Sequence, residues 1–454
     1  MRRHLCNTRP ELYLELMRHT LRSFILVALT AACALATDGC VKGEANSAKP
    51  EGKLLARPPA QALALHVKWT KHIEVYSRRV RVDAGNHNDW RMLAESQMAL
   101  ARATGEHSHF SEAEDSLKRA LAVMPAANST AKTNMAGCLI AQHKFEAARK
   151  YVKEVAASEP AEKSWDALLG DAALGLGDYD GAEALFNSFA RLCPGPAAWT
   201  RQGHIAELRG NRKAARELLT QAQVEMGEWE IEAQAWVRVQ IGLLDFGEGN
   251  LKLARSSFED AMLWAPDYYI ALQFLAQCAV LEGDPNNARA LLERAAAVSR
   301  VPETLLPLAR VEETLGNKAA AELLRHEALQ HFKAHIGAGD QSHLRAYALA
   351  LLEQNVKPTD ALELARRDAL SRDDIDTQAA FALALSANGR NGEALAALKR
   401  ALRLNTTDAS LWLVAQRVYL ASGLVESANA ALARAHELNP LTAGRERWFL
   451  ANRR

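Results

Sequence analysis

The sequence predicts an all-α chain, a solenoid of about ten helical hairpins, and two observations support this prediction. An alanine that follows a turn recurs at spacings of 33 to 40 residues, close to the length of one helical hairpin. Other landmark residues keep phase with that alanine along the chain. The ten marker alanines are Ala113, Ala148, Ala182, Ala215, Ala254, Ala288, Ala321, Ala361, Ala394 and Ala428.

The fifth unit, IGLLDFGEGNLKLARSSFEDAMLWAP, shows the phase of the landmarks best. In chain order they are Gly242, Gly249, Ala254, Phe258, Ala261 and Pro266. A small residue lets two antiparallel helices approach closely, glycine ends a helix in the left-handed conformation, and proline opens the next connection. A single hairpin cannot bury its apolar face, so neighbouring units must complete the core.

This pattern resembles the tetratricopeptide (TPR) repeat, which has Trp and Leu-Gly on a first helix, a Gly turn, then Ala, an aromatic residue, Ala and a final Pro. The matching residues of the third, fourth and last units are Gly170, Gly177, Tyr179, Ala182, Phe186 and Pro194; Trp199, Gly203, Gly210 and Ala215; and Trp412, Tyr419, Gly423, Ala428, Ala435 and Pro440. The resemblance covers residues 90–440 and implies a right-handed α-solenoid.

Four places depart from the pattern. Lys132 and Met135 replace the usual landmarks of the second unit, and the eighth unit has no Gly turn, which leaves room for irregular hairpins there. The long spacings that end at Ala254 and Ala361 require extra residues between units. We expect these residues in VEMGEWEIEAQ and HIGAGDQSHL.

Length, charge and cysteine usage exclude several classes of protein. A solenoid of 454 residues forms one elongated domain, because each unit contacts only its neighbours. The 55 basic and 54 acidic residues balance, which argues against a nucleic-acid partner. Six scattered cysteines do not make a disulfide framework, and we expect Cys138 and Cys278 to be buried as small apolar residues.

Residues 1–40 are predicted to be an export signal whose true start is Met17. The basic residues Arg18 and Arg22 precede an apolar run over 24–36, which is short for a membrane span. The alternative is an internal apolar cap helix on a cytoplasmic protein. The prediction places the protein outside the cytoplasm, in the periplasm or anchored by lipid to the cell envelope.

The site of cleavage is left open by the sequence. Ala34-Leu35-Ala36 suits ordinary signal peptidase, whereas the segments ending at Cys40 and Cys33 resemble weak lipoboxes. Residues 41–60 are polar and contain proline, as expected of a flexible tether behind a lipidated cysteine. A membrane contact is therefore expected only through such an anchor.

Both ends of the solenoid are predicted to carry caps. Within 61–89, apolar residues recur at steps of three and four, which predicts an amphipathic capping helix; a membrane-surface helix is the alternative. The segment 441–454, with Trp448 and Phe449, is predicted to close the other end.

No linear motif predicts catalysis or a cofactor. HEALQH, from His326 to His331, is one residue too long for HExxH. Glu327, His331 and His335 share one helix face, and His107 and His109 lie in a loop, but a solvated polar surface is the preferred interpretation of both groups. We therefore predict no catalytic residue, no metal and no cofactor.

The resemblance to TPR proteins implies that first helices line a concave groove, which binds a protein or peptide. By register with the family, the groove residues are Trp236, Phe246, His204, Glu207, Gln273, Gln277, Arg310 and Glu313, together with Asp171 and Leu243. Trp236 has two interpretations: an exposed anchor for an apolar side chain of the ligand, or a wedge between two units.

The preferred functional hypothesis is an exported, non-enzymatic adaptor or scaffold. It rests on analogy of fold, which does not identify the partner. The second hypothesis is an assembly or export factor for envelope polymers, in which the solenoid binds a polysaccharide or a secretion channel. Groove aromatics that stack on sugars would favour it, and Trp236 and Phe246 are the candidates. A metal-binding protein or enzyme that uses Glu327, His331 and His335 is the third.

Overall fold

The computed structural model describes residue 58, residues 63–159 and residues 164–451, with the side chains of 447 and 448 left out. The described residues form α-helices joined by turns and one short 3-10 segment, Pro440–Thr442, and contain no strand. The helices are α1 Leu65–Val82, α2 His87–Thr104, α3 Ser108–Val123, α4 Ser129–Ala141, α5 Phe145–Ser158, α6 Trp165–Leu176, α7 Tyr179–Leu192, α8 Pro196–Leu208, α9 Arg212–Glu225, α10 Ile231–Gly247, α11 Leu251–Trp264, α12 Tyr269–Leu281, α13 Pro285–Val298, α14 Pro302–Thr314, α15 Lys318–Gly337, α16 Leu344–Glu353, α17 Pro358–Ser371, α18 Ile375–Ala387, α19 Asn391–Ala401, α20 Ala409–Ala421, α21 Val425–Leu438 and α22 Glu446–Ala451.

Helices α2 to α21 pair in order into ten hairpins, which we number as units 1 to 10. Every marker alanine is buried, with at most 1% of its surface exposed. In unit 5 the two helices approach each other closely at Gly242, where an added Cβ atom would lie 2.6 Å from the ring of Phe258. The predicted α-solenoid is confirmed, and its hairpins close on the residues that define the period.

The two units without a regular glycine turn form ordinary hairpins. In unit 2 His143 takes the left-handed conformation, with φ of 57°, and in unit 8 Asn355 does so, with φ of 53°. Gly177 and Gly210 occupy the same conformation in units 3 and 4. Asparagine tolerates this region better than most residues, whereas histidine requires a supporting environment.

The two long spacings are absorbed partly by loops and partly by longer helices. Helix α10 has 17 residues after the loop 226–230, and α15 has 20 residues where the second helices on either side of it, α13 and α17, have 14. The expectation that the extra residues lie between units is thus only partly correct for the second spacing. There, the first three residues of HIGAGDQSHL extend α15, the next six form its connection to α16, and Leu344 begins α16.

The two terminal elements behave differently. Helix α1 packs along α2 as an additional antiparallel helix, with Leu65 buried. Helix α22 contacts α16 and α20, which are both first helices of their units. The predicted export signal, the tether over 41–60 except Pro58, and the side chain of Trp448 lie outside the described residues.

Successive coils of the superhelix touch along a line of turns that we call the seam. Four hydrogen bonds define it, each joining residues more than 190 positions apart. They run from Asp373 N to Leu176 O (3.1 Å), from Ile375 N to Tyr179 Oη (2.8 Å), from Arg212 Nη2 to Thr407 O (2.6 Å) and from Asn439 Nδ2 to Phe246 O (3.0 Å).

Two further sequence expectations concern apolar surface. Cys138 and Cys278 are unpaired and fully buried, and burial raises the pKa of each thiol to about 12, as expected of small apolar core residues. In the part of the chain that the structure describes, we find no helix with both the length and the apolar character needed to span a bilayer.

Replacing Ala254 by Leu should destabilise unit 5 by about 1–3 kcal/mol, because the added atoms have no space between α10 and α11. The measurement is the midpoint of urea denaturation followed by circular dichroism. Lys252→Leu is the matched control, since Lys252 is exposed on the same helix, two residues before Ala254. Equal midpoints for the two variants would show that Ala254 is not at a close helix contact.

Candidate binding groove

The predicted groove residues do not form one open surface. His204, Trp236, Phe246, Gln273 and Gln277 are buried, with 9% or less of each residue exposed. Glu207 and Arg310 are partly exposed, and Glu313 is exposed. The first helices therefore do not present a continuous concave face to solvent in the middle of the chain.

Trp236 lies in a buried cluster between units 4 and 5. Its neighbours in that cluster include Ala215, Leu219 and Ala222 of α9, and Trp199 of α8 packs against the same group. Only 5% of Trp236 is exposed, so its ring fills space between two units. This environment favours the wedge interpretation over the anchor.

Two of the other buried groove residues, Gln273 and Phe246, contact a neighbouring unit or the C-terminal helix. Gln273 donates from Nε2 to Thr304 Oγ1 at 2.6 Å, which joins the first helices of units 6 and 7. The Phe246 ring lies 6.3 Å from that of Phe449 on α22. These side chains hold the superhelix together from inside.

Buried ion pairs cross the interior as well. Arg102 of unit 1 donates from Nε to Glu232 Oε1 of unit 5 at 3.0 Å, with the guanidinium fully buried. Asp171 and Arg201 form a two-bond pair at 2.9 and 2.6 Å, with neither side chain exposed. Burial raises the pKa of Asp171 to about 6, although Arg201 opposes that shift. Buried charges persist only when paired in this way.

The C-terminal helix occupies part of the interior. Phe449 is buried, and Arg310 donates from Nη2 to the carbonyl oxygen of Ala451 at 2.7 Å. The same guanidinium binds both oxygens of Glu353, at 2.6 and 2.8 Å. A first-helix arginine thus holds the end of a short helix by its backbone.

A cavity of about 670 Å³ remains beside α22, between units 7 and 10. Two of the predicted groove residues, Arg310 and Glu313, line it. Its apolar wall contains Leu306, Pro307, Leu349, Leu352, Val356, Leu383 and Leu450; its polar wall contains Glu303, Arg310, Glu313, Glu322, Arg325, Arg345, Glu353 and Arg417. The volume lies within the range of about 300–1,000 Å³ that is usual for ligand sites.

Opposite charges are paired around this cavity. Glu313 pairs with Arg325, Arg310 with Glu353, and Arg345 donates to Asp374 at 3.2 Å. The wall therefore carries both positive guanidinium groups and negative carboxylate groups, so the cavity suits a ligand of mixed polarity. The family register predicts two of the residues that line the cavity, but it does not predict that most of the other groove residues are buried.

The metal-ligand candidates on α15 are rearranged relative to the sequence prediction. Glu327 pairs with Arg300, at 2.6 and 2.8 Å, and does not face the two histidines. Glu106 faces them instead, from the turn between α2 and α3. His109 pairs with Glu112 at 2.9 Å, whereas His107 is buried near α15.

Comparisons with known proteins bear on the repeats. A tetratricopeptide repeat family model matches residues 106–172 and 245–303, and a second model described by the same words matches residues 168–227. Tetratricopeptide repeats are thus recognised within residues 106–227 and 245–303. The matched segments extend from the turn before α3 in unit 1 to the first two residues of α14 in unit 7, within the ten hairpins of the structure.

Two solved structures are similar to this chain at low identity. One is titled "Crystal structure of APC/C hetero-tetramer Cut9-Hcn1", with 14% identity, 85% of this chain and 93% of that chain covered, and a TM-score of 0.32. The other, "Crystal structure of PilW, widely conserved type IV pilus biogenesis factor", has 16% identity, covers 46% and 94%, and has a TM-score of 0.39. Both TM-scores are low, and neither likeness supports a statement about function. A comparison with curated protein sequences finds no match.

Trp236→Ala should lower the free energy of unfolding by about 3–5 kcal/mol, the usual loss for a buried aromatic side chain. Chemical denaturation measures this loss, and Trp229→Ala is the control, since 60% of Trp229 is exposed. If Trp236→Ala unfolds with the same free energy as Trp229→Ala, the wedge interpretation is wrong and the anchor interpretation is favoured.

Proposed function

We propose that the chain is an exported, non-enzymatic TPR adaptor that binds a segment of a partner protein in the cavity between units 7 and 10. TPR repeats commonly serve as protein-interaction scaffolds, and this class fits the fold. The observation that supports the proposal most is the position of α22, because the interior already binds one short helix of the chain itself.

The contacts of α22 indicate which ligand chemistry the interior accepts. Arg310 binds the carbonyl oxygen at Ala451, while Phe449 enters an apolar cluster and Leu450 lines the cavity. A partner segment of similar character, with apolar side chains and free carbonyl groups at a helix end, would make equivalent contacts next to α22. Helix-in-groove binding of this kind is a recurring mode of peptide recognition.

The walls of the cavity favour a peptide over a sugar polymer. Leu306, Leu349 and Leu383 offer apolar surface between charged groups of both signs. Phe332 is the aromatic residue among those that line the cavity, and 1% of it is exposed, so no ring there is open for stacking on a sugar. If the chain is an envelope-assembly factor, its partner at this cavity is therefore a protein and not a polysaccharide.

Leu349→Trp tests the cavity, because the indole would fill space that a ligand needs. Random peptides displayed on phage are selected against the purified wild-type protein, and the affinities of the selected peptides are then measured. We expect binding to fall by at least about tenfold for Leu349→Trp, which corresponds to about 1.4 kcal/mol.

Leu323→Trp is the control for this experiment, because Leu323 is 72% exposed on α15. It should bind the selected peptides like the wild type. Equal binding by Leu349→Trp and Leu323→Trp would reject the cavity as the binding site. Failure to select any peptide would reject the proposed ligand class.

Export is tested on cells that express the full chain, by fractionation and by mass spectrometry of the mature amino terminus. We expect a mature start at Thr37, or a lipid-modified Cys40 or Cys33. Cys40→Ala should abolish anchoring only if Cys40 carries the lipid. Leu26→Arg, which interrupts the apolar run, should leave the chain uncleaved. An uncleaved wild-type chain in the cytoplasm would contradict export.

A further inference from the structure

Six histidine and carboxylate side chains meet where unit 1 touches the connection between units 7 and 8. They form two groups, each with ligand atoms within 4.8 Å of one another. The outer group is Glu106, His331 and His335, which are partly exposed; the inner group is His107, Asp340 and His343, which is more deeply buried. The repeat pattern does not account for histidine and carboxylate residues at these six positions.

The chain builds this cluster from turns and from an extension of one helix. Gly105 ends α2 in the left-handed conformation, with φ of 74°, and the turn directs Glu106 and His107 towards α15. His331 and His335 lie one turn apart on α15, and His335 belongs to the part of α15 that exceeds 14 residues. Their rings stack at 4.4 Å with an angle of 10° between planes.

Two distances between carboxylate oxygens and histidine nitrogens in the outer group are compatible with a metal site. Glu106 Oε2 lies 3.3 Å from His331 Nε2, and Glu106 Oε1 lies 3.2 Å from His335 Nε2. A tetrahedral zinc ion with bonds of about 2.0–2.1 Å holds its ligand atoms about 3.4 Å apart. Two imidazoles and one carboxylate are a common ligand set for divalent transition ions, which imidazole prefers over calcium or magnesium.

A supporting carboxylate lies on the far side of His335. Asp340 Oδ2 is 3.2 Å from His335 Nδ1, so the other ring nitrogen is oriented towards Glu106. The Asp340 side chain is itself held, because its Oδ1 accepts hydrogen bonds from Ser342 N at 2.8 Å and from Ser342 Oγ at 2.6 Å. Histidine ligands of metals almost always have such a carboxylate or carbonyl partner on the second nitrogen.

The inner group is better placed to support the outer group than to bind an ion of its own. Asp340 Oδ2 lies 3.8 Å from His107 Nδ1 and 4.0 Å from His343 Nε2, longer than its 3.2 Å contact with His335. His107 Nδ1 also lies 3.0 Å from Ser342 Oγ. These contacts fix the connection that carries Asp340.

We propose that Glu106, His331 and His335 bind a divalent transition-metal ion of the zinc class, with Asp340 positioning His335 and one coordination position left for water. The ion would join unit 1 to unit 7 and so fasten one coil of the superhelix to the next. This site is separate from the cavity of the proposed adaptor function and does not depend on that function.

The test uses the full-length chain, freed of metal by a chelator and titrated with Zn²⁺ in a calorimeter. We expect one equivalent to bind, a rise in Tm on binding, and no comparable heat with Ca²⁺. Co²⁺ should give the visible absorption of a four-coordinate nitrogen and oxygen site in the wild-type protein, a readout that requires no variant.

Substitutions then assign the ligands. Glu106→Gln, His331→Gln and His335→Gln should each weaken Zn²⁺ binding by at least about 100-fold, and Asp340→Asn by about 10–100-fold, as expected of a residue that orients a ligand. His326→Gln is the matched control, because His326 is exposed on the same helix. It should bind like the wild type, and circular dichroism of each variant verifies the fold.

Three results would overturn the proposal. The first is the absence of Zn²⁺ binding and of a Co²⁺ spectrum in the wild-type protein. The second is undiminished binding by folded His331→Gln and His335→Gln, which would place the ion elsewhere. The third is a loss of Zn²⁺ binding in His343→Gln together with unchanged binding in His331→Gln, which would assign the ion to the inner group.

Discussion

The close approach of two helices at one alanine in each hairpin is the contact on which the rest of the molecule depends. The ten marker alanines are almost completely buried, and around Gly242 a single added carbon atom would collide with Phe258. Because each hairpin closes on so small a residue, its apolar stripe is presented in nearly the same direction in every unit. The stacking of units then follows from the burial of that stripe, and the interval of about 34 residues records it in the sequence.

A second constraint appears only after about six units, when the coil meets itself. Tyr179 accepts from Ile375 N, and Arg212 donates to the carbonyl oxygen of Thr407, across 196 and 195 positions of the chain. These contacts close the superhelix tightly, so that Arg102 reaches Glu232 across the interior. The concave surface that a wider coil would expose is therefore largely filled by the chain's own side chains, and open volume remains beside α22.

Periodicity predicts what each unit does with its neighbours, and it does so here even where landmarks are missing. Periodicity does not predict which turns contact each other between units that are about six apart, because those contacts depend on small rotations accumulated over many hairpins. Burial of Gln273 and Phe246 was consequently not predicted, although their places on first helices were. The shared face of His331 and His335 was predictable from helical spacing, whereas their carboxylate partner, Glu106, lies 225 positions from His331 and carries no sequence mark of that contact.

One departure from the repeat pattern, the extended helix α15 with its connection to α16, carries residues of both candidate sites. Phe332 lines the cavity and lies 5.6 Å, ring to ring, from His343, while its chain neighbour His331 faces Glu106. A ligand in the cavity and an ion at the outer histidines would thus act on the same short segment. Any free energy by which one of them stabilises a given arrangement of that segment must appear in the affinity of the other, because linkage is reciprocal. Because α15 faces Glu106 of unit 1 and also lines the cavity, it links unit 1 to the cavity, in addition to the seam contacts and the Arg102–Glu232 pair that join other distant units.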